Sequence, residues 1–204
     1  ENIIDISDNP FAGCTALTHI EVNSNNTYYK SIDGVLVDKY GELVSFPAGR
    51  SGSYTVPSGV TSIGDRAFYN CTALTGVTIP GSVTSIDWNA FECCAALTSV
   101  TISSGVESID GYAFYKCAAL KSITIPGSVT SIGWYAFGRC TALTSVTIGS
   151  GVTSIDGYAF YYCAALKNVT IPGSVTYIGD GAFNDCTSLT RVTIPNSVTS
   201  IGNS

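Results

Sequence analysis

Residues 60–82 read VTSIGDRAFYNCTALTGVTIPGS, and the same frame returns without a gap to the end of the chain. Phe stands at 68, 91, 114, 137, 160 and 183, a constant step of 23 residues. Cys keeps that step at 71, 94, 117, 140, 163 and 186, and Leu keeps it at 74, 97, 120, 143, 166 and 189. Ile from 63 to 201 and Val from 60 to 198 complete the frame. A fixed period of this length marks a repeat architecture, in which one unit cannot bury its apolar edge and stacked units can.

An earlier copy is interrupted. Ile6, Phe11, Cys14, Leu17, Ile20 and Val22 fall on the template, so residues 1–22 are expected to form the first repeat. Residues 23–56 read as an insertion. Within it Gly34–Val37, a Gly-containing loop and Glu42–Phe46 predict a β-hairpin that projects from or pads the N-terminal end. Residues 57–204 carry the contiguous repeats, and Ser197–Gly202 opens one more copy. That last copy suggests either an array cut from a longer one or one closed by Asn203 and Ser204.

Inside each unit two stretches alternate apolar and polar residues, the strand signal: Thr75–Ile79 and the shorter Thr61–Ile63. Between them the spacing of Ala67, Phe68, Cys71 and Leu74 predicts a helical or 3₁₀ turn. Asp65, Asp87, Asp110, Asp156 and Asp180 precede that turn, where a carboxylate can cap free N–H groups. Pro80-Gly81, Pro126-Gly127 and Pro172-Gly173 end the long strand at a corner. The fold expected is a solenoid of short parallel strands. With strands about 4.8 Å apart, seven coils span roughly 34 Å.

Composition narrows the function. Hydrophobic residues make up 45% of the 204, enough for a core and against disorder. Charged residues are only 12%, and nine Lys and Arg face fifteen Asp and Glu, a net charge of −6. A basic nucleic-acid-binding surface is therefore not expected. No apolar run approaches the roughly 20 residues of a membrane-spanning helix. Met is absent, so Glu1 reads as the boundary of a mature chain. One His and few carboxylate pairs leave little acid–base machinery.

The frame from Leu74 through Ile79, Pro80 and Ile86 to Ala90, Phe91 and Cys94 resembles the BspA-like class of bacterial leucine-rich repeats. The segments Tyr29–Leu36 and Phe46–Gly49 look like a piece that recurs in that class. The resemblance implies a leucine-rich-repeat solenoid, a right-handed coil of 23-residue units. It also implies a non-enzymatic binding module of an exported, surface-displayed bacterial protein. Host matrix or cell-surface proteins, or glycans, are the implied partners; no cofactor and no metal are expected. The competing reading is a purely structural spacer within a larger surface protein.

Two faces can carry contact. Outside the core frame, Trp88, Tyr112, Tyr115, Trp134, Tyr135, Tyr158 and Tyr161 gather on the turn-bearing side, and Tyr and Trp suit binding hot spots. Stacking that merely stiffens the array is the alternative. On the long-strand side Thr78, Thr101, Thr124, Thr147, Thr170 and Thr193 form one row, the concave candidate. Thr is also simply a good strand residue. Seven cysteines share one inward register and are expected to be free buried thiols. Cys93 falls instead in a solvent-facing register and is expected to be an exposed thiol. Asp87 and Asp110 share a register in adjacent coils, where a shared cation and simple capping are both possible readings. His19 is expected to be exposed, without a nucleophile beside it.

Overall fold

The computed structural model describes residue 6 and residues 8–203. Its seventeen strands run β1 (Tyr29–Ile32), β2 (Val35–Asp38), β3 (Glu42–Ser45), β4 (Gly52–Thr55), β5 (Ser62–Ile63), β6 (Leu74–Ile79), β7 (Ser85–Ile86), β8 (Ser99–Ile102) and β9 (Ser108–Ile109). They continue as β10 (Ser122–Ile125), β11 (Ser131–Ile132), β12 (Ser145–Ile148), β13 (Ser154–Ile155), β14 (Asn168–Thr170), β15 (Tyr177–Ile178), β16 (Arg191–Thr193) and β17 (Ser200–Ile201). From β5 onward the strands alternate short and long, one pair to each coil. The short ones join β1, β2 and β3 in a ten-stranded sheet. The long ones form two sheets, β4-β6-β8 and β10-β12-β14-β16. Pairing is parallel and in strict 23-residue register along the array: Ile63 faces Ile86, and Thr124 faces Thr147.

The core is what that register stacks. Phe68, Phe91, Phe114, Phe137 and Phe160 are fully buried, and their rings pile face to face at 4.5–5.4 Å between centroids. Phe46 extends the pile at 4.7 Å from Phe68. Each stacked pair adds about 0.5–1.5 kcal/mol to the area it buries.

The arc between short and long strand is not helical, which corrects the expectation of a helical or 3₁₀ turn. Its amides alternate in what they serve. Ala67, Tyr69 and Cys71 donate back within their own coil to Gly64, Arg66 and Phe68. Arg66, Phe68 and Asn70 donate forward to Trp88, Ala90 and Glu92 of the next coil. A helix aims every amide along its own axis; here left-handed residues break that pattern at two positions per coil. Arg66, Asn89, Tyr112, Tyr135 and Tyr158 have φ of 54–58°, and Asn70, Cys93, Lys116, Arg139, Tyr162 and Asp185 have φ of 56–63°. The forward bonds also leave few amides for capping. Asp87 and Asp156 pair instead with the hydroxyls of Ser85 and Ser154.

The cysteine ladder has a specific role. Cys94, Cys117, Cys140 and Cys163 are buried free thiols, and each Sγ–H donates at 3.0–3.2 Å to the carbonyl of the preceding coil's Phe. That carbonyl also accepts the amide of its own coil's Cys, so both lone pairs are used. Burial pushes the Cys140 thiol up to about 12. Cys14 departs from the expected burial and is exposed. Its copy packs with a separate small cluster, in which Ile20, Tyr29, Leu36 and Val44 are buried.

The segment around the hairpin joins the rod. β2 and β3 pair antiparallel as expected, with one face (Val35, Val37, Leu43) in the main core and the other (Leu36, Val44) in the N-terminal cluster. β3 then pairs parallel with β5, and β4 with β6. Residues 42–56 thus form a coil of their own, with Phe46 in the Phe row. Beside it the carboxylates of Glu42, Asp65 and Asp87 line a groove of about 260 Å³ with Asp8 and Asn9. Partial burial, then the neighbouring charges of Asp38, Asp87 and Asp65, raise the pKa of Glu42 above its ordinary 4.5. Asp87 and Asp110 are raised too, chiefly by burial.

Two predictions follow from these contacts. A thiol reagent on the native chain should label Cys14 first and Cys93 slowly, and should spare Cys94, Cys117, Cys140 and Cys163 until denaturant is added, as read by mass spectrometry. Early labelling of Cys117 would contradict the ladder. A carboxyl whose native pKa exceeds its unfolded value holds its proton more tightly when folded, so acidification through the native value stabilises the fold. Tm should therefore rise as pH falls from neutrality toward the ordinary carboxyl range. Glu42→Gln should raise Tm at neutral pH and flatten that rise.

Candidate functional site

The left-handed row builds the centre of the turn-bearing face. At φ near +55° the side chains of Tyr112, Tyr135 and Tyr158 leave the arc outward, one per coil. Their rings stack nearly parallel, at 5.0 Å between Tyr112 and Tyr135 and 4.8 Å between Tyr135 and Tyr158. Trp88 and Trp134 flank this ladder on one side, both 47% exposed. Tyr115 and Tyr161 flank it on the other, edge-on to Tyr135 at 5.9 and 5.7 Å. All seven rings singled out from the sequence thus form one continuous aromatic surface.

Both flanking rows alternate a ring with a glycine. Trp88, Gly111, Trp134 and Gly157 share one register; Tyr115, Gly138 and Tyr161 share another. A Cβ on Gly111 would sit 2.4 Å from the Trp88 ring, and one on Gly157 the same distance from Trp134 Nε1. Each indole lies across the backbone of the next coil, and only glycine leaves room for it. The aromatic face therefore repeats every two coils although the core repeats every one.

Charge divides across the face. Lys116 Nζ sits 5.2 Å from the centre of Tyr115, and the Arg139 guanidinium 5.8 and 5.6 Å from Tyr161 and Tyr162. The Trp side carries carboxylates instead. Trp88, Trp134, Tyr158 and Tyr177 line a groove of about 400 Å³ with Asp156 and Asp180. Tyr177, Asp156 and Asp180 were not singled out as groove residues from the sequence. The signal for Tyr177 was there: it replaces the Ser found at 85, 108, 131, 154 and 200 in its register.

The Thr row is placed where expected, with Thr78, Thr101, Thr124, Thr147, Thr170 and Thr193 all exposed. It is not one ladder, because the long-strand sheet is broken between β8 and β10. Other exposed threonines turn their hydroxyls along the rod to the preceding coil: Thr98 to Thr75 O at 3.0 Å, Thr153 to Thr130 O at 3.0 Å.

Cys93 is half-buried rather than exposed, a correction to the sequence expectation. Its register is left-handed and exposed at Lys116, Arg139, Tyr162 and Asp185, but the short Cys93 side chain stays close to the backbone, with its thiol pointing at Glu92 Oε1, 3.9 Å away. Burial and that carboxylate raise its pKa, which lowers the thiolate fraction. His19 is exposed and lies 3.5 Å from Glu21. Among the described residues no group of three or more His, Cys, Asp or Glu side chains is placed to hold a metal ion.

The repeat and the fold it builds recur in known proteins. A family model described as BspA type leucine rich repeat region matches in six copies, over residues 1–32, 46–165 and 107–204. A leucine-rich repeat protein from Eubacterium ventriosum superposes with a TM-score of 0.74 at 27% identity, covering 95% of this chain and 58% of that one. The T. pallidum leucine rich repeat protein gives 0.75 at 29% identity, over 89% of this chain and 86% of that one. A leucine rich cell surface protein from Faecalibacterium prausnitzii gives 0.68 at 32% identity, over 84% and 54%. This chain therefore spans little more than half the length of two of the three. No curated protein matches it in sequence. The matched segments leave out residues 33–45, the stretch that holds β2 and β3. With most of its length matched repeat by repeat, the chain belongs to the BspA-type leucine-rich-repeat family.

Proposed function

We propose that the chain is a non-enzymatic binding module of an exported, surface-displayed bacterial protein, and that it engages its partner through the aromatic turn-bearing face. Host matrix or cell-surface proteins, or glycans, are the partner classes that suit such a surface. Membership in an interaction-type repeat family supports the module, and one solved relative carries the description of a cell surface protein. Scarce acid–base groups fit a role without catalysis.

The observation that carries the face is the backbone of its tyrosines. A left-handed residue other than glycine costs roughly 1–2 kcal/mol, with Asn and Asp the cheaper occupants. The same row holds Asn89 and Gly181, so the fold accepts the cheaper residues. Three successive coils nonetheless carry Tyr. Stacking inside the row returns about 0.5–1.5 kcal/mol for each of its two parallel pairs, against strain at three positions. Strained rings that the fold leaves only partly buried present their remaining surface to a partner outside the chain.

The structural spacer remains the competing reading, and the stacking itself favours it: parallel rings at 4.8–5.0 Å do stiffen a rod. The two diverge on one variant. Tyr112→Asn/Tyr135→Asn/Tyr158→Asn relieves strain and removes stacking, so its unfolding free energy should stay within about 2 kcal/mol of the parent's. Surface plasmon resonance against immobilised matrix proteins and a glycan array should show saturable binding by the parent and at least a tenfold loss in the variant. A parent that binds nothing, or a variant that binds equally well, would overturn the proposal for this face.

A further inference from the structure

The Trp-side groove has the chemistry of a cation site. Trp134 and Tyr158 meet at 69° with centroids 6.3 Å apart, and Trp134 stands at 88° to Tyr112. These walls form a corner, not a flat shelf, which suits a compact group better than a planar sugar ring. Tyr177, 41% exposed, adds a further ring.

Two carboxylates complete the lining. Asp180 Oδ1 accepts the Asn203 amide at 2.7 Å, and Asp156 takes the Ser154 hydroxyl. Among the described residues neither carboxylate has a cationic partner; the ion pairs found are His19–Glu21, Arg50–Asp33 and Arg66–Asp8. Desolvation raises the pKa of Asp156, with no cation at hand to oppose it. On the opposite edge of the same face, Lys116 and Arg139 already lie over tyrosine rings, so this surface uses ring–cation contact with its own side chains there. The Trp edge presents rings and acids with the cation missing. Cations are held over aromatic faces by the ring quadrupole, best by Trp, and paired carboxylates add charge-assisted hydrogen bonds. A net charge of −6 steers a basic partner toward the chain.

We propose that the groove between Trp134, Tyr158 and Tyr177 takes the ammonium group of a lysine side chain presented by a partner protein, with Asp156 and Asp180 accepting its N–H groups. This deepens the reading of the aromatic face as a binding surface and rests on it. The groove depends on Gly157, which lets the Trp134 indole lie flat across the next coil.

The chain has two tryptophans, so a ¹⁵N-labelled sample gives two indole N–H signals, assigned by Trp88→Phe and Trp134→Phe. The whole chain is titrated with Nα-acetyl-lysine N-methylamide, with its uncharged norleucine counterpart, and with neutral oligosaccharides. The lysine probe should move the Trp134 signal saturably and the norleucine probe should not. Asp156→Asn/Asp180→Asn, checked for an unchanged amide spectrum, should weaken the response about fivefold or more. A norleucine response as large as that of lysine overturns the proposal, as does a Trp134 shift with oligosaccharide alone. If the parent binds a protein in the resonance assay while the lysine probe leaves both indoles unmoved, the cation site falls and the face stands. If neither binds, both fall.

Discussion

Every coil of this rod must hand half of its arc amides to the coil that follows. Phe68 donates to Ala90, Phe91 to Ala113, Phe114 to Ala136, and the rule runs on to Phe160 and Ala182. The forward bond joins backbone to backbone and so sets the step between coils at the spacing of paired strands, about 4.8 Å, and the arc and both strand rows therefore advance together. Once that step is fixed, every residue meets its copy 23 positions away. The Phe pile, the thiol-to-carbonyl ladder and the Thr hydroxyl bonds to the preceding coil are all consequences. An insertion within the arc would break several ladders at once, which is why the array from Val60 onward carries none. Residues 42–56 show what is tolerated. Leu43 faces Ile63 across 20 residues, Gly52 faces Leu74 across 22 and Tyr54 faces Val77 across 23, so the shortening falls in the arc and at the register shift after Gly52 in β4.

The same forward bonds set the chemistry of the surface. They need left-handed residues at two places per coil, and the side chains there project outward, free of the core. One row became Arg66, Asn89, Tyr112, Tyr135 and Tyr158; the other became Asn70, Cys93, Lys116, Arg139, Tyr162 and Asp185. Variation is therefore concentrated at backbone positions whose geometry is invariant. That arrangement separates the positions by role: the core positions keep the step, and the left-handed positions are free to vary in side chain. Between those rows the ring–glycine alternation is a further layer. An indole is wider than one coil step, so a row of Trp at every coil would collide, and the alternation with Gly111 and Gly157 is the steric solution.

How much was legible in the sequence follows from which property each position encodes. Phe68, Cys71, Leu74, Val77 and Ile79 are apolar because they are buried, and burial is written in residue type, so the period, the strands and the core could be read directly. The sign of φ is not written in residue type when Tyr, Lys or Arg occupies the position. The arc with its Ala-Phe-x-x-Cys spacing therefore looked helical. Cys14 shows a related limit: it matches the template, yet a template carries no information about which neighbour covers it. The carboxylates misled in another way. Asp65 and Asp180 sit one register away from Asp87, Asp110 and Asp156, so a row that looked like one set of caps is two sets with different surroundings. The aromatic face itself was visible as a departure from the frame. Its groove was not, because Tyr177 and Asp180 approach Trp134 from the next coils and belong to no shared motif.

The two candidate faces differ in what a partner would gain from each. On the long-strand side the exposed threonines offer short side chains, and the break between β8 and β10 interrupts the floor midway. A ligand there would have to replace well-solvated hydroxyls with bonds of similar strength, for little net return. On the turn-bearing side the rings are only half covered by one another, so a partner there would finish the burial of apolar area that the fold has begun. The conformational entropy of those rings is already spent, because stacking and left-handed backbone hold them in place before any contact is made. Preorganised aromatic area is where binding free energy is gained at the least cost in ordering. The carboxylates at the Trp edge and the cations at the Tyr115 edge then give this surface a direction, which a neutral threonine row lacks.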